Sequence, residues 1–181
     1  MIGLQAVYAV AGLMFAGFAI ASASDRTNPK RWGNAAFWGL FALSFLAGDW
    51  IGDLGNGLLV VVMVLIAGGG GLGIGKPATP SSTERKARSE QLGTRLLVPA
   101  LAIPLVTLIG VLGLKWISVG GLPLIEAKHA TLVSLTLGAL VAMLLGVLLL
   151  RQPLAAPAQE GRRLMDTVGW AALLPQMLAA L

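Results

Sequence analysis

The chain has 181 residues, of which 56% are hydrophobic and 12% are Asp, Glu, Lys or Arg, and its mean hydropathy is +0.83. A water-soluble domain carries roughly 25% charged residues, because polar side chains must cover its surface. The composition therefore excludes a soluble secreted, disordered or nucleic-acid-binding domain. With no cysteine and one histidine, the chain also lacks the means for disulfides, thiolate metal sites or a cysteine nucleophile, and a histidine-built zinc site is disfavoured.

Five apolar runs are long enough to cross a bilayer. A membrane-spanning helix needs about 20 apolar residues, since each residue rises about 1.5 Å and the hydrocarbon core is about 30 Å thick. The predicted spans cover residues 2–23, 35–54, 58–74, 96–117 and 130–150. We therefore predict an all-α, polytopic membrane protein with five transmembrane helices, forming a single membrane domain over residues 1–181.

The basic residues predict the orientation of these spans. All thirteen Lys and Arg lie between the apolar runs or at their ends, and nearly all of them lie in the first, third and fifth polar segments. Basic segments are retained in the cytoplasm, so we predict that the N-terminus lies outside. A cleaved signal peptide stays open as an alternative, because Ala21, Ser22 and Ala23 are typical of a cleavage site, although no Lys or Arg precedes the first run.

The third polar segment, residues 76–95, is a predicted cytoplasmic connector. Ser82 or Thr83 is expected to cap a short charged helix that runs from Glu84 to Gln91. Two interpretations remain. The segment is either an amphipathic arm that lies on anionic lipid or a solvated connector whose charges only set the topology.

A glycine-rich stretch ends the third predicted span. Residues 68–76 match the dinucleotide-binding fingerprint at Gly68, Gly70 and Gly73, and they nearly match a phosphate-binding loop. The phosphate loop needs a Ser or Thr where this chain has Pro77, and no strand–loop–helix unit is predicted here. We therefore reject a nucleotide site and interpret these glycines as positions of close helix packing or of a loosened helix end.

Asp49 and Asp53 are candidates for a cation site. On a continuous helix they are one turn apart and share a face at the outer end of the second span. Two carboxylates on one turn can bind a cation or share a proton. The alternative is an interfacial pair that ends the helix beside neighbouring glycines. No catalytic residue and no metal site are predicted, because no nucleophile stands beside a base and no ligand cluster has a usable spacing.

The C-terminal segment, residues 164–181, is predicted to begin a re-entrant helical hairpin. Its apolar run from Val168 to Leu181 is too short to span a membrane and is interrupted by Pro175 and Gln176. An apolar segment of half-span length that is broken by Pro is typical of one hairpin arm. Since the chain stops inside this run, we expect the sequence to be truncated relative to a longer protein.

Several blocks of the chain resemble a bacterial membrane family, domain-of-unknown-function family 979. They are residues 25–33 (DRTNPKRWG), 37–40 (FWGL), 43–49 (LSFLAGD), 92–95 (LGTR), 99–104 (PALAIP), 161–164 (GRRL) and 169–176 (GWAALLPQ). Members are described as one subunit of a two-component 5-oxoproline transporter, related to the inverted-repeat carriers of the ion transporter superfamily, and they are longer than this chain. Thr94 stands where the family has Asn, so a role for that amide is not carried over.

The resemblance implies a subunit of a secondary transporter in the bacterial inner membrane. It implies a small organic anion as substrate, with 5-oxoproline as the example, a cation gradient as driving force, a smaller companion membrane subunit and no cofactor. A homo-oligomer is left open. The candidate residues of the substrate or ion pathway are Asp49, Thr107, Ser134, Thr136, Pro175 and Gln176. Pro175 and Gln176 are assigned to the hairpin tip, where helix ends can hold a carboxylate.

Two other function classes are weighed against transport. A non-transporting scaffold or assembly subunit would stabilise the true carrier, and the companion subunit alone would then transport normally. A membrane-embedded enzyme is disfavoured, because the catalytic constellation is missing from the sequence.

Overall fold

The computed structural model describes residues 2–76, 81–114, 117–119 and 122–174. Its helices are α1 (Leu4–Ser24), α2 (Arg31–Gly68), α3 (Ser82–Leu92), α4 (Leu97–Gly113), α5 (Ala130–Leu150) and α6 (Ala156–Val168). Short 3-10 turns cover Gly93–Leu96, Ala127–His129 and Gly169–Leu173. Two short strands, β1 (Ser118–Val119) and β2 (Leu122–Pro123), pair antiparallel with Ser118 opposite Pro123.

The described part of the chain is a helical membrane protein. Helical segments long and apolar enough to cross a membrane are Leu4–Ser24, Arg31–Gly68, Ser82–Gly113 and Ala127–Leu150. Large apolar side chains such as Leu13, Leu65 and Leu108 remain exposed along these helices. Apolar surface of this extent is stable against hydrocarbon and unfavourable against water, which agrees with the composition.

Helix α2 contains the second predicted span and residues 58–68 of the third, and it doubles back at Gly52. This glycine has φ 71° and ψ 178°, a backbone conformation that residues with a side chain rarely adopt. Asn34, near the start of α2, bonds to the backbone of Gly73 beyond its end, so the arms 31–51 and 53–68 lie side by side. The reversal was expected at residues 55–57. Asn56 lies just after the break and donates from Nδ2 to the Gly48 carbonyl at 2.9 Å.

Two predicted helix boundaries need correction. Helix α2 ends at Gly68, six residues before the predicted end of the third span. Helix α4 (Leu97–Gly113) lies within the predicted span 96–117, of which residues 115 and 116 lie outside the described residues. Ser81, rather than Ser82 or Thr83, caps α3. Its hydroxyl accepts from the Glu84 N–H at 3.2 Å, and the Glu84 carboxylate accepts from the Ser81 N–H at 2.8 Å. This reciprocal capping box explains where α3 begins.

The described residues of 1–10 and 79–156 form one compact unit, in which α4 packs against α5. Small residues bring the two helices close together. A Cβ atom on Gly138 would lie 2.8 Å from the Ile103 carbonyl oxygen, and Gly110 faces Ser134. The two contacts show that α4 and α5 run antiparallel. Their close approach is expected in hydrocarbon, where van der Waals packing replaces the hydrophobic effect between helices.

The described residues of 11–78 and 157–181 form a second compact unit with an aromatic core. The buried members of this core are Phe18, Phe37, Trp38, Phe41, Met63 and Leu173. Phe15 stacks against Trp38 and Phe41, with 5.9 and 5.1 Å between ring centroids. The core therefore joins α1, both arms of α2 and the segment that follows α6, and it supports the polar groups described next.

Candidate functional site

The connection between α1 and α2 is folded by its own side chains. The Asp25 Oδ1 atom accepts from the backbone N–H and the hydroxyl of Thr27, at 2.9 and 2.6 Å. Asn28 is buried, and its Oδ1 atom accepts from the Lys30 N–H at 2.9 Å. Asp and Asn readily form such local turns. The turns leave Asp25 Oδ2 and Asn28 Nδ2 to bind partners that are distant in sequence.

The glycine-rich segment 69–76 lies against this connection and has left the helix. The Gly73 carbonyl accepts from Asn28 Nδ2 and Asn34 Nδ2, both at 2.8 Å, and the Gly73 N–H donates to Asn34 Oδ1 at 2.9 Å. A Cβ atom on Gly73 would lie 2.8 Å from Asn28 Oδ1, so no side chain fits there. Of the two sequence-based interpretations of these glycines, the loosened helix end is the one that the structure contains.

A buried charge cluster forms where α6 meets these two segments. Arg162 Nη1 donates to Asp25 Oδ2 at 2.8 Å and to Asp166 Oδ2 at 3.4 Å. Asp166 Oδ1 accepts from Asn34 Nδ2 at 2.9 Å and from Trp38 Nε1 at 3.0 Å. The side chains of Arg162, Asp25 and Asp166 are 7%, 9% and 3% exposed. We call these five residues the Arg162 cluster.

The Arg162 cluster carries a net negative charge. It contains one guanidinium and two carboxylates, so its formal charge is −1. Burial alone would raise the pKa of Asp25, but hydrogen bonds from Thr27 and the nearby Arg162 guanidinium lower that pKa below its ordinary value. Arg162 Nε is buried and has no acceptor among the described residues. A buried donor without a partner costs stability, so this arrangement is not optimised for stability alone.

The chain turns into the core directly after the cluster. Gly169 has a φ of +57°, and the turn Gly169–Leu173 buries Leu173 in the aromatic core. Trp170 and Leu173 line an apolar cavity of about 380 Å³ together with Val64, Ala67 and Gly68. The predicted hairpin start at residues 164–181 therefore enters the second unit as far as Leu174. Pro175 and Gln176 lie outside the described residues.

Asp49 and Asp53 are not part of the cluster. Both are exposed, and they lie on either side of the break at Gly52. The assumption that one continuous helical turn joins them is wrong, because the backbone of Gly52 is not helical. Neither carboxylate has a hydrogen bond or ion pair with another described residue. A cation site at this pair stays a prediction.

Thr107, Ser134 and Thr136 lie in the first unit. The Thr107 and Thr136 hydroxyls donate to carbonyls of their own helices, Ile103 at 2.7 Å and Leu132 at 2.9 Å. Ser134 is fully buried against Gly110, and its hydroxyl has no partner within the described ranges. Thr107 and Ser134 therefore come together at the α4–α5 contact, whereas their assignment to a substrate pathway stays a prediction.

The sequence interpretation did not select the residues that the structure brings together. One local signal was available, since Arg162 and Asp166 are four residues apart and so share a face of a helix. Asn34 stands at the edge of an apolar run, where a buried amide needs partners. Among the described residues, no group of three or more His, Cys, Asp or Glu side chains is arranged to hold a metal ion.

A comparison with protein families assigns the chain as a whole. The family model described as "Protein of unknown function (DUF979)" matches residues 5–181. No curated protein and no solved structure matches the chain. Because the family match extends from within α1 through the Arg162 cluster and beyond it, the chain belongs to the DUF979 family.

Proposed function

We propose that the chain is a subunit of a secondary transporter for a small organic anion, coupled to a cation gradient, in the bacterial inner membrane. The substrate that the family resemblance suggests is 5-oxoproline, and a smaller companion membrane subunit completes the carrier. The observation that carries the proposal is the Arg162 cluster: a buried, net negative ion-pair cluster in a membrane protein, built from two stretches, residues 25–38 and α6, that are distant in sequence.

Ionisable groups that are buried in a protein are costly, and such groups are concentrated at functional sites. A buried ion pair is a weak source of stability, because desolvation offsets most of its Coulomb energy. Its partners can therefore be exchanged at a small net cost. In the proposed carrier, a cation that reaches Asp25 or Asp166 competes with Arg162 and releases α6 from the connection between α1 and α2. The formal charge of −1 favours a cation as this competitor.

The proposed topology has five spans, namely α1, the two arms of α2, α4 and α5, with the N-terminus outside. The Arg162 cluster joins segment 25–34 to α6, and its Asn34 also bonds to Gly73 in segment 73–76. The distribution of basic residues assigns all three segments to the cytoplasmic side. Their meeting supports a placement on one common side, since a helical hairpin that crosses the membrane twice returns its ends to the same side; the choice of the cytoplasmic side rests on the basic residues alone. Residues 164–181, which follow the cluster, would then begin the re-entrant hairpin near the substrate.

The test is uptake of labelled 5-oxoproline by cells that express the chain together with its companion subunit. Arg162→Met is expected to abolish uptake, because both carboxylates lose their cation. Arg163→Met is the matched control. Arg163 is the next residue on α6, and it pairs with Glu160 at the same 2.8 Å but is 39% exposed, so uptake is expected to stay near the wild-type level.

Two outcomes would overturn the proposal. Transport by the companion subunit alone would make this chain a scaffold or assembly subunit. Normal coupled uptake in an Arg162→Met variant that inserts normally would separate the cluster from transport. The double variant Asp25→Arg with Arg162→Asp exchanges the two charges and tests whether uptake is lost in Arg162→Met only because that variant misfolds. If the ion pair acts as a switch, the exchange is expected to restore part of the uptake that Arg162→Met loses.

A further inference from the structure

A second cavity lies in the first unit, at the end of the α4–α5 pair. It is an open cleft of about 610 Å³ between α3, the 3-10 turn Gly93–Leu96 and the end of α5. Of the predicted site residues that the structure describes, none lines it. It is independent of the Arg162 cluster, which belongs to the other unit.

The two walls of the cleft differ in polarity. Arg88, Ser89 and Gln91 of α3 form a polar wall, and Leu92, Leu96 and Leu150 form an apolar wall. Glu84 also lines the cleft, but its carboxylate is hydrogen-bonded to the Ser81 N–H in the cap of α3. An amphipathic cleft of this kind fits a ligand with a polar head and a hydrocarbon chain.

The charge and the position of the cleft restrict the class of ligand that it can bind. Leu96 and Leu150 stand at the ends of two apolar helices, where a membrane helix reaches the bilayer surface. Their sequence neighbours Arg95 and Arg151 are exposed and add two positive charges to that of Arg88. An anionic headgroup gains from nearby basic side chains, and each contributes about a fivefold increase in binding.

We propose that this cleft binds an anionic phospholipid, with the headgroup phosphate on Arg88 and the upper acyl chain along Leu92, Leu96 and Leu150. The guanidinium offers a planar fork of N–H donors that matches phosphate oxygens. Ser89 and Gln91 add hydrogen-bond donors beside it. The apolar wall selects a lipid over a free phosphate, because only a lipid has an acyl chain to cover the exposed Leu96 and the half-buried Leu92 and Leu150.

The experiment is native mass spectrometry of the purified full chain with phosphatidylglycerol or phosphatidylcholine of equal chain length. Phosphatidylglycerol is expected to bind more tightly than phosphatidylcholine, whose choline cation offsets the phosphate charge. Arg88→Gln is expected to weaken phosphatidylglycerol binding about fivefold and to reduce the preference for phosphatidylglycerol over phosphatidylcholine. Lys86→Gln is the matched control, because it removes the same charge two residues away on α3 but does not line the cleft. Both side chains are exposed, so neither substitution disturbs a buried contact.

The hydrocarbon part is tested by Leu96→Ser and by competition. Leu96→Ser is expected to weaken the binding of phosphatidylglycerol. Glycerol phosphate, which has no acyl chains, is expected not to displace the bound lipid. Displacement by glycerol phosphate or by inorganic phosphate would overturn the lipid assignment in favour of a free-phosphate site. Equal losses in Arg88→Gln and Lys86→Gln would overturn the cleft itself and leave only a general attraction between a basic helix and an anionic surface.

Discussion

In the unit that contains α2 and α6, segments far apart in sequence are joined by charged and amide side chains. In the other unit, α4 and α5 meet over Gly110, Ser134 and Gly138, and the Thr107 hydroxyl bonds to its own helix. We call the contact made by the Arg162 cluster the polar joint. It depends on charge, so a proton, an ion or a competing side chain can open it. We call the contact between α4 and α5 the apolar joint, and it depends on close van der Waals contact, which no change of charge can release. This contrast supports a moving part around α6 and a permanent contact between α4 and α5.

Removing the guanidinium is the strongest way to break the polar joint. Arg162→Met leaves Asp25 and Asp166 buried without a cation, which typically costs about 3–5 kcal/mol. The free energy of unfolding in a denaturant titration measures this loss. Arg163→Met is expected to cost less than about 1 kcal/mol, because the Arg163–Glu160 pair is solvent-screened. Equal losses of unfolding free energy in the two variants would contradict the expectation that the buried Arg162 contributes more to stability than the half-buried Arg163.

Trp38→Phe removes one donor of the same joint and keeps an aromatic ring in the core. Asp166 then loses the indole N–H at 3.0 Å, and hydrogen bonds to charged groups are worth about 1.5–3 kcal/mol. Trp32→Phe is the control, since Trp32 is 67% exposed. We expect it to change the free energy of unfolding by less than about 0.5 kcal/mol. A Trp38→Phe variant as stable as Trp32→Phe would refute the role of this hydrogen bond.

Two glycines of α5 test the apolar joint with opposite expected signs. An alanine at Gly138 would press against the Ile103 carbonyl, and such overpacking costs about 1–3 kcal/mol. Gly146 has no atom within 4 Å of an added Cβ, so Gly146→Ala is expected to stabilise α5 by about 0.5–1 kcal/mol. Both are measured by thermal unfolding in the same detergent. Stabilisation by both substitutions would show that close approach does not hold α4 to α5.

The smallest expected effect is the pH dependence of the polar joint. The pKa of Asp25 is lowered from its ordinary value of 3.8, so its ionisation stabilises the fold fully above that value. This contribution is lost as the pH falls through the lowered pKa. The melting temperature of the wild type is therefore expected to fall more steeply below about pH 4 than that of Asp25→Asn. Parallel curves would contradict a lowered pKa.

The apolar runs predict α1 and α5 to within two residues, because a helix must satisfy its own backbone in hydrocarbon and the run length sets its ends. The reversal in α2 is different. Gly48, Gly52, Gly55 and Gly57 offer similar backbone freedom, and only the packing of the two arms selects Gly52. A run of glycines predicts that a helix can break there but not the residue at which it breaks.

The Arg162 cluster shows the same limit for the site. The spacing of Arg162 and Asp166 can be interpreted from sequence, since both lie on one face of α6. Asp25 lies 137 residues before Arg162, and no local pattern links the two. Their pairing follows from the aromatic core, which brings α6 to the connection between α1 and α2.

The length of that separation has a consequence for biosynthesis. Chains are made at about 5–20 residues per second, so Asp25 waits about 7 to 27 seconds before Arg162 is synthesised. During this interval α1 and α2 are already made, and the Asp25, Asn34 and Trp38 side chains lack the partners that α6 later supplies. The nascent unit must keep them hydrated or bound by another protein. Helix α6 therefore closes the Arg162 cluster only after α1, α2, α4 and α5 have been made.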